Sequence, residues 1–386
     1  MPTQPPLPPL LAPYVSSLPP SSLIVLSTVL GAQGNWLTLR YLYAALNALS
    51  TSDAALSFGE GHNGKKQKVV LVSFLRGWEF WRAEAKRLGL DLARLTDKRQ
   101  FAFVDGLSEL FAGPRTTPTP TTPTTTNTTT TQTTPPSLAP SPRGGPVPQR
   151  TVLPNRSAPG PIPARGPQPA RGPAVAAPAP LAPVAPSAPP AAPASREVGP
   201  VKRLHLSGKG PAALDRLEKD IAAVVGHLNG RATASAEEED DSEVLLVLDQ
   251  PDLLLAATGP GKEIGATEMT EWVMGLQQYV HATVMTLAAD LPLIHNASAA
   301  GHQMPTPLET EHAAFAIGSA HRAHLVMQLR DLDTGAARDV SGVLRVSKGG
   351  AWGQSDNTDA NGNWEEKEAL YFVQRDGGVS VFRRGE

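Results

Sequence analysis

The chain has 386 residues, 39 prolines, no cysteine and a formal net charge of −2 at pH 7. The absence of cysteine excludes disulfide bonds, thiolate catalysis, zinc ribbons and iron–sulfur clusters. No uninterrupted apolar run approaches the roughly 18–20 residues that a membrane-spanning helix needs, so we expect no membrane segment.

The first 20 residues, MPTQPPLPPLLAPYVSSLPP, are rich in proline. They lack the early Lys or Arg of a secretory signal, and their prolines favour an extended, polyproline-like chain. We therefore predict a flexible, disordered leader over residues 1–20. We also expect a cytoplasmic protein, with the nucleus as a further location.

Residues 21–49 predict a buried strand, a glycine-bearing loop and an amphipathic helix, which is the layout of a phosphate-binding P-loop. The functional pattern is G-x-x-x-x-G-K-[ST], in which the lysine neutralises the outer phosphates and the hydroxyl holds magnesium. If Gly34 is the second glycine, the pattern puts the first at Val29, and the loop's other glycine, Gly31, is out of register. The lysine position is then Asn35 and the hydroxyl position Trp36. The loop therefore predicts the architecture without nucleotide binding, and Trp36 would place an indole where the hydroxyl should be.

The next elements are a strand over 69–74, a helix over 78–88 and a strand over 101–104. The helix begins with GWEFW, which brings together three large aromatic residues, Trp78, Phe80 and Trp81. Three such side chains are too many for one helix face, so we expect one or two to pack on a neighbouring subunit, with the protein core as the alternative. Asp105, in FVDG, could be a catalytic carboxylate, but a turn-capping role before glycine is commoner.

Residues 114–200 are a Thr/Pro tract followed by Ala/Pro/Arg low-complexity sequence, and they contain 25 of the 39 prolines. Seven arginines and no acidic residue lie between Glu109 and Glu197, so the rest of the chain carries −9. Such a segment has too few apolar side chains to offset the entropy of ordering it. We predict a disordered insertion that interrupts one domain built from residues 21–113 and 201–386.

The second part of that domain predicts a helix over 212–228, a strand over 244–249, a helix over 268–281 and a strand over 282–288. A long loop and a strand over 324–329 follow, and the end is an antiparallel hairpin around Asp376 and Gly377. Strand–helix alternation closed by a hairpin predicts an α/β fold, with a mainly parallel sheet flanked by helices.

Asp249 ends the buried run VLLVLD in the position of a Walker B aspartate. The next residue is Gln250, so an adjacent glutamate that could activate water is missing. Five histidines cluster further on, but no metal-binding pattern such as H-E-x-x-H accompanies them. We therefore predict no catalytic residue, no metal site and no cofactor. The clustered histidines are His295, His302, His312, His321 and His324.

Several blocks together resemble the family of the sixth subunit of the Elongator complex. They are VVLVSFLRGWEFWRAEAKRLGLDLARL, FAFVDGLSELF, VLLVLDQPDLLLAATG, HRAHLVMQLRDLDTGAARDVSGVLRV and ALYFVQRDGGVSVFRRG. None of these blocks is a catalytic motif, so the resemblance rests on their order and spacing. It covers most of the chain outside residues 1–20 and 114–200.

The resemblance implies a RecA-like fold without the ATPase signature, in a hetero-hexameric ring with Elongator subunits four and five. It further implies docking on the catalytic subunits one, two and three, tRNA binding, and support of carboxymethyl-type modification of the wobble uridine (U34). In such rings, loops after the central strands face the pore, which here would be residues 250–262 and 292–311. The residues expected near tRNA or a neighbouring subunit are Lys262, His295, His302, His321 and Arg322.

Two other interpretations stay open at the sequence level. A degenerate P-loop ATPase could still bind nucleotide by another route. An adaptor protein could work through the Pro-rich segment 114–200. Because the sequence carries no recognisable catalytic set, the leading prediction is a non-catalytic subunit of a tRNA-modifying complex.

Overall fold

The computed structural model describes residues 7–16, 18–52, 67–112, 199–230, 243–294, 304–333, 335, 337–353 and 364–384. Within these ranges, the side chains of residues 48–52 and 260 are not described. All the described residues belong to one compact unit, Met1–Arg115 together with Arg196–Glu386. Nearly all of the predicted insertion 114–200 lies outside the described residues, as do His295 and His302.

Helices and strands alternate along most of the chain. The helices are α1 (Ala12–Val15), α2 (Asn35–Ser52), α3 (Trp78–Arg87), α4 (Leu92–Asp97), α5 (Pro211–Leu228), α6 (Leu253–Thr258), α7 (Ala266–Gln277), α8 (Leu291–Ile294) and α9 (Pro307–Arg322). The strands are β1 (Ser22–Thr28), β2 (Gln67–Ser73), β3 (Phe101–Asp105), β4 (Lys202–Arg203), β5 (Glu243–Asp249), β6 (Ala282–Ala288), β7 (Leu325–Arg330), β8 (Gly342–Lys348), β9 (Lys367–Val373) and β10 (Val379–Arg383).

The described strands form one sheet in the order β10-β9-β8-β7-β1-β6-β5-β2-β3-β4. Pairing is parallel from β7 to β4 and antiparallel from β7 to β10. Strand β6 lies between β1, which precedes the glycine loop, and β5, which ends in Asp249. This order, with helices covering both faces, confirms the predicted α/β fold with a mainly parallel sheet and a C-terminal antiparallel hairpin.

The sheet is covered on both faces because its central strands carry apolar side chains at consecutive positions. In β1, Ile24 and Leu26 belong to the apolar cluster that also contains residues of α1–α4. Leu23 and Val25 belong to the opposite cluster, with residues of α5, α6, α7 and α9. The alternation along β1 therefore joins the two halves of the core through one strand.

The described part of the leader differs from the sequence prediction. Leu11 and Tyr14 are buried, and the Tyr14 hydroxyl donates a hydrogen bond to the Glu365 carbonyl at 2.8 Å. Trp364 Nε1 donates to the Pro13 carbonyl at 2.6 Å, and Lys367 Nζ lies 4.5 Å from the centre of the Tyr14 ring. The prediction of a disordered leader is therefore wrong for residues 7–16, because partners more than 350 positions away hold them in place.

The aromatic residues of GWEFW also differ from the prediction. Trp78 and Trp81 are 6% and 0% exposed, and Trp78 packs 5.7 Å from Phe103, measured between ring centres. Phe80 is half-buried and meets the Arg76 guanidinium at 5.2 Å. The i, i+3 spacing of the two tryptophans turns both towards the sheet, so they are core residues and not interface anchors.

The long loop predicted before β7 contains α9. This helix begins with a capping box, since the Thr306 side chain accepts from the Glu309 amide while the Glu309 carboxylate accepts from the Thr306 amide. The Thr-Pro-Leu-Glu sequence carries this start signal, with Pro307 at the first helical position. The apolar pattern alone missed the helix because two of its four buried residues, His312 and Ser319, are polar.

Replacing Gly226 by alanine is expected to raise the free energy of unfolding by roughly 0.5–1 kcal/mol, because glycine is the costlier residue inside a helix. A Cβ at this position, two residues before the end of α5, would meet no atom within 4 Å. Gly275 is the matched control, two residues before the end of α7, where a Cβ would lie 2.5 Å from the Glu218 carboxylate. Urea unfolding should show a gain for Gly226→Ala and a smaller gain or a loss for Gly275→Ala; a loss at Gly226 would contradict the expectation.

Candidate functional site

The carboxyl ends of the parallel strands border a cleft of about 160 Å³. In open α/β sheets, ligands bind at this edge, where neighbouring connections leave the sheet on opposite faces. The cleft is lined by the glycine loop after β1, by Arg76 after β2, by Asp249 at the end of β5, and by Thr286 and Asp290 at and after the end of β6. It is the counterpart of the nucleotide position in a P-loop protein.

The glycine loop is closed on itself. Val29 and Ala32 form an antiparallel bridge, in which the Ala32 amide donates to the Val29 carbonyl at 3.0 Å. Gly31 takes a left-handed conformation, with φ of 106°. The Leu30 amide donates to Asp290 Oδ1 at 2.8 Å. Two N–H groups of the kind that a phosphate-binding loop offers to its ligand are thus used within the protein.

The second half of the loop joins β1 tightly to α2. A Cβ on Gly34 would lie 2.6 Å from the Thr28 methyl group, so this position requires glycine. Helix α2 begins at Asn35, which lines the cleft. Trp36 is 5% exposed and packs 4.9 Å from Tyr371, measured between ring centres. The expectation that its indole would lie in the metal position is therefore wrong: the side chain lies against the C-terminal strands.

Asp249 is buried, and both of its carboxylate oxygens accept hydrogen bonds. Ser73 Oγ donates to Oδ2 at 2.7 Å, and Thr286 Oγ1 donates to Oδ1 at 3.1 Å. Arg76 Nη1 lies 3.1 Å from Oδ1 and 3.4 Å from Oδ2. A guanidinium thus holds the carboxylate that a Walker B aspartate would offer to magnesium through a water or directly.

Burial and charge act in opposite directions on this aspartate. Removal from water raises the pKa of Asp249, whereas the Arg76 charge and the bonds from Ser73 and Thr286 lower it. Burial dominates, and the pKa of Asp249 stays above its usual value. Arg76 is therefore the largest of the influences that favour the ionised carboxylate, and it acts against the burial of Asp249.

Gln250, next to Asp249, has a φ of 56°. Its amide lies 2.9 Å from Thr286 Oγ1 and 3.2 Å from the Thr286 carbonyl. Left-handed backbone in a non-glycine residue costs about 1–3 kcal/mol and is concentrated at functional sites. The Thr286 hydroxyl thus donates to Asp249 and accepts from the Gln250 amide, and these two bonds hold the end of β5 in this conformation.

A second buried ion pair, between His312 of α9 and Asp252, lies beside the cleft. His312 Nε2 is 3.0 Å from Asp252 Oδ2, and Nδ1 is 3.1 Å from the Leu293 carbonyl. A carbonyl only accepts, so Nδ1 carries a proton, and Nε2 donates to the carboxylate. Burial opposes this charge, but the hydrogen bond and charge of Asp252 outweigh it and raise the pKa of His312.

The predicted tRNA-facing residues do not meet in one place. Lys262 follows α6 and donates to the Gly208 carbonyl at 3.2 Å, in the connections that leave the carboxyl edge of the sheet. His321 and Arg322 end α9 immediately before β7, which runs parallel to β1, so they lie at the amino edge. His321 is exposed and Arg322 is half-buried. His324 is buried and packs against Trp352 and Trp364.

Asp105 performs the turn-capping role. Its Oδ1 accepts from the Leu107 and Ser108 amides, each at 2.9 Å. Within the described ranges, no group of three or more His, Asp or Glu side chains is arranged to hold a metal ion. Among the same residues, no helix is long and apolar enough to cross a membrane.

Sequence reasoning located the glycine loop and Asp249 but missed Arg76, Ser73 and Thr286. Each of them lies within three residues of the carboxyl end of a strand, and that position is the signal that could have found them. The partnership of Asp252 and His312 has no comparable signal, because 60 positions separate the two residues.

Protein-family models and curated proteins give no match to this chain. Among solved structures, the crystal structure of a KaiC-like protein from the hyperthermophilic archaeon Pyrococcus horikoshii OT3 is similar, with a TM-score of 0.44 and 11% sequence identity. The match covers 98% of this chain and 97% of that chain. The class of the protein, an α/β fold with a mainly parallel sheet, rests on the strand order of its sheet.

Proposed function

We propose that this chain is a non-catalytic RecA-like subunit of a tRNA-modifying assembly, of the type of the sixth Elongator subunit. In that role it forms a hetero-hexameric ring with subunits four and five and docks on the catalytic subunits one, two and three. The ring binds tRNA and supports carboxymethyl-type modification of the wobble uridine. The proposal is supported by the five sequence blocks that resemble this subunit and by the geometry of the cleft.

The observation that carries the non-catalytic part is the contact between Arg76 and Asp249. A guanidinium at 3.1 Å from Oδ1 puts a permanent positive charge beside the aspartate on which magnesium would depend. A nucleoside triphosphate would also meet the Asp290 carboxylate, which holds the Leu30 amide. The cleft, at about 160 Å³, is smaller than the roughly 300–1,000 Å³ of ordinary ligand pockets.

The tRNA part of the proposal depends on the assembled ring. Residues outside the arginine-bearing segment carry a net charge of −9, which disfavours RNA binding by this subunit alone. Lys262 at one edge of the sheet and His321 with Arg322 at the other are the residues of this chain expected nearest to tRNA or a neighbour. Most of the positive charge that tRNA requires would come from the partner subunits.

Co-expression with the fourth and fifth Elongator subunits tests the proposal, with native mass spectrometry on the purified product. The expected product is a hexamer with two copies of each subunit, which binds tRNA with an affinity that falls steeply with salt. A chain that stays monomeric and binds neither partner would overturn the proposal. Deleting residues 114–200 is the control for an adaptor role, because assembly should survive the deletion if the folded domain makes the ring contacts.

Calorimetry of the isolated chain with ATP and magnesium tests the alternative of a degenerate ATPase. We expect no binding in the micromolar range. Two loop amides are already bonded within the protein, Asp249 is paired with Arg76, and the cleft is small for a nucleotide. Micromolar, magnesium-dependent binding that is lost in Asp249→Asn would favour the alternative. Because this readout uses the chain alone, it separates failure of the non-catalytic assignment from failure of ring assembly.

A further inference from the structure

A second cavity, of about 300 Å³, lies on the other side of the glycine loop from the cleft. Helices α2 and α3 and the turn between β9 and β10 enclose it. Nothing in the proposed ring function uses it. Its lining includes Trp36, Leu39, Arg40, Tyr371, Val373 and Gly377.

The unusual member of this lining is Arg40. It is 1% exposed, although arginine is rarely buried without an ionic partner. Its Nη2 donates to the Gly377 carbonyl at 3.2 Å, while its Nε–H has no partner. No carboxylate among the described residues forms an ion pair with it. Burial lowers the pKa of Arg40 to about 10, so the guanidinium stays charged at neutral pH.

The fold gains nothing evident from this charge. Taking a cation out of water is costly unless an opposite charge and further hydrogen bonds compensate for it. A methionine would fill a similar volume in α2 without that cost. No counter-charge for Arg40 lies among the residues that the structure describes, and the cavity beside it is a place where one can enter.

The lining restricts the chemistry of that counter-charge. Glu84 faces the same cavity and is paired with Arg87 at 2.8 Å, so Arg40 supplies the single uncompensated positive charge. A doubly charged phosphate would meet one cation and one carboxylate, whereas a singly charged carboxylate matches Arg40 alone. A carboxylate also fits the planar donor fork of a guanidinium. The Trp36 and Tyr371 rings and Val373 suit an apolar body attached to that group.

We propose that this cavity binds an organic monocarboxylate with a short apolar or aromatic body, and that Arg40 is its counter-ion. The ligand's carboxylate pairs with the guanidinium, and its apolar part covers the aromatic wall. The cavity shares Gln33 and Asn35 with the cleft at Asp249, but Arg40 lines only the cavity and Asp249 only the cleft, so the inference does not depend on the ring.

Thermal unfolding of the full chain at constant ionic strength is the test. The probes are 3-phenylpropionate and butyrate, with the corresponding neutral amides and inorganic phosphate as controls. The two carboxylates are expected to raise Tm by about 2–4 °C at saturating concentration, because a ligand that binds only the folded state stabilises it. Equal shifts with the amides or with phosphate, or no shift with either carboxylate, would overturn the proposal.

Two variants tie the shift to Arg40. Arg40→Met should unfold at the same temperature as the wild type or higher without ligand and should lose the carboxylate shift. Arg82→Met, at an exposed arginine of α3 paired with Glu79, is the matched control and should keep it. An unchanged shift in Arg40→Met would contradict the assignment.

If Arg40→Met does not fold, Glu84→Gln provides an independent check. Removing this negative charge from the cavity should tighten 3-phenylpropionate binding about threefold or more, since like charge in a low-dielectric site disfavours an anion. Unchanged or weaker binding would count against the site. A short peptide with a free C-terminal phenylalanine, compared with its amide, distinguishes a peptide carboxylate from a free small molecule.

Discussion

Replacing Arg76 by methionine is expected to lower the free energy of unfolding by about 3–5 kcal/mol, because it leaves a buried carboxylate without its charge partner. Asp249 keeps the bonds from Ser73 and Thr286, but these hydroxyls carry no charge. Urea unfolding at neutral pH measures the loss. Arg82→Met is the matched control in α3, where the partner Glu79 is exposed, and it should change stability by less than about 1 kcal/mol.

A double-mutant cycle separates the pair from other effects of the substitution. Asp249→Asn removes the carboxylate charge that pairs with Arg76, so the variant that carries both substitutions should be more stable than Arg76→Met alone. Strict additivity of the two single losses would show that the two side chains do not act as a pair.

The same pair has a defined pH dependence. The pKa of Asp249 is raised in the folded protein, so the native state holds this proton to higher pH than the unfolded chain does. Stability therefore falls as pH rises from the unfolded pKa through the folded pKa of Asp249. Comparing wild type with Asp249→Asn isolates this contribution, which should disappear in the variant. In Arg76→Met the fall should extend to higher pH, because the charge that lowers the pKa is gone.

Replacing His312 by glutamine is expected to cost about 3 kcal/mol near pH 6, where the imidazolium is paired with Asp252 in the interior. His312 is 3% exposed, and the Ala288 amide, at 3.1 Å, is the other donor to Asp252 Oδ2. Glutamine can still donate an amide hydrogen bond to this carboxylate, but it supplies no positive charge. Thermal or urea unfolding measures the loss, and His321→Gln, at an exposed position of the same helix, should change stability by less than about 0.5 kcal/mol.

The cost of His312→Gln should depend on pH with a defined sign. Because the folded pKa of His312 is raised above 6.5, its stabilisation is fully present below 6.5 and is lost as pH rises through the folded pKa. The difference between wild type and variant should therefore shrink from pH 6 towards pH 9. A difference that grew with pH would show that His312 is neutral in the folded state.

The sequence predicted most strands because hydrophobic patterning is a local property. The predicted strand over 282–288 coincides with β6, and the helix over 212–228 differs from α5 by one residue. Helix α9 was missed because its start signal is a capping box and not a continuous apolar stripe. Trp78 and Trp81 were predicted as interface candidates because counting aromatic residues does not show which of them the sheet can cover.

The sequence predicted the position of the candidate site but not the side-chain contacts that determine its chemistry. The strand–loop–helix pattern located the glycine loop, and VLLVLD located Asp249 opposite it. The contact that decides the character of the cleft joins Arg76 and Asp249, which are 173 positions apart in the chain. No local pattern encodes such a pairing, because it exists only where β2 and β5 are neighbours in the sheet.

The sequence by itself determined the α/β alternation, the Pro-rich segment between the two parts of the domain, and the departures from the P-loop pattern at Val29, Asn35 and Trp36. These properties depend on residue type and spacing along the chain. Only the tertiary structure decided that residues 7–16 pack on the C-terminal strands, that Arg76 holds Asp249, and that Arg40 is buried beside a cavity with no carboxylate partner among the described residues. Each depends on groups from distant segments meeting out of water, where an unpaired charge or polar group costs far more than at the surface.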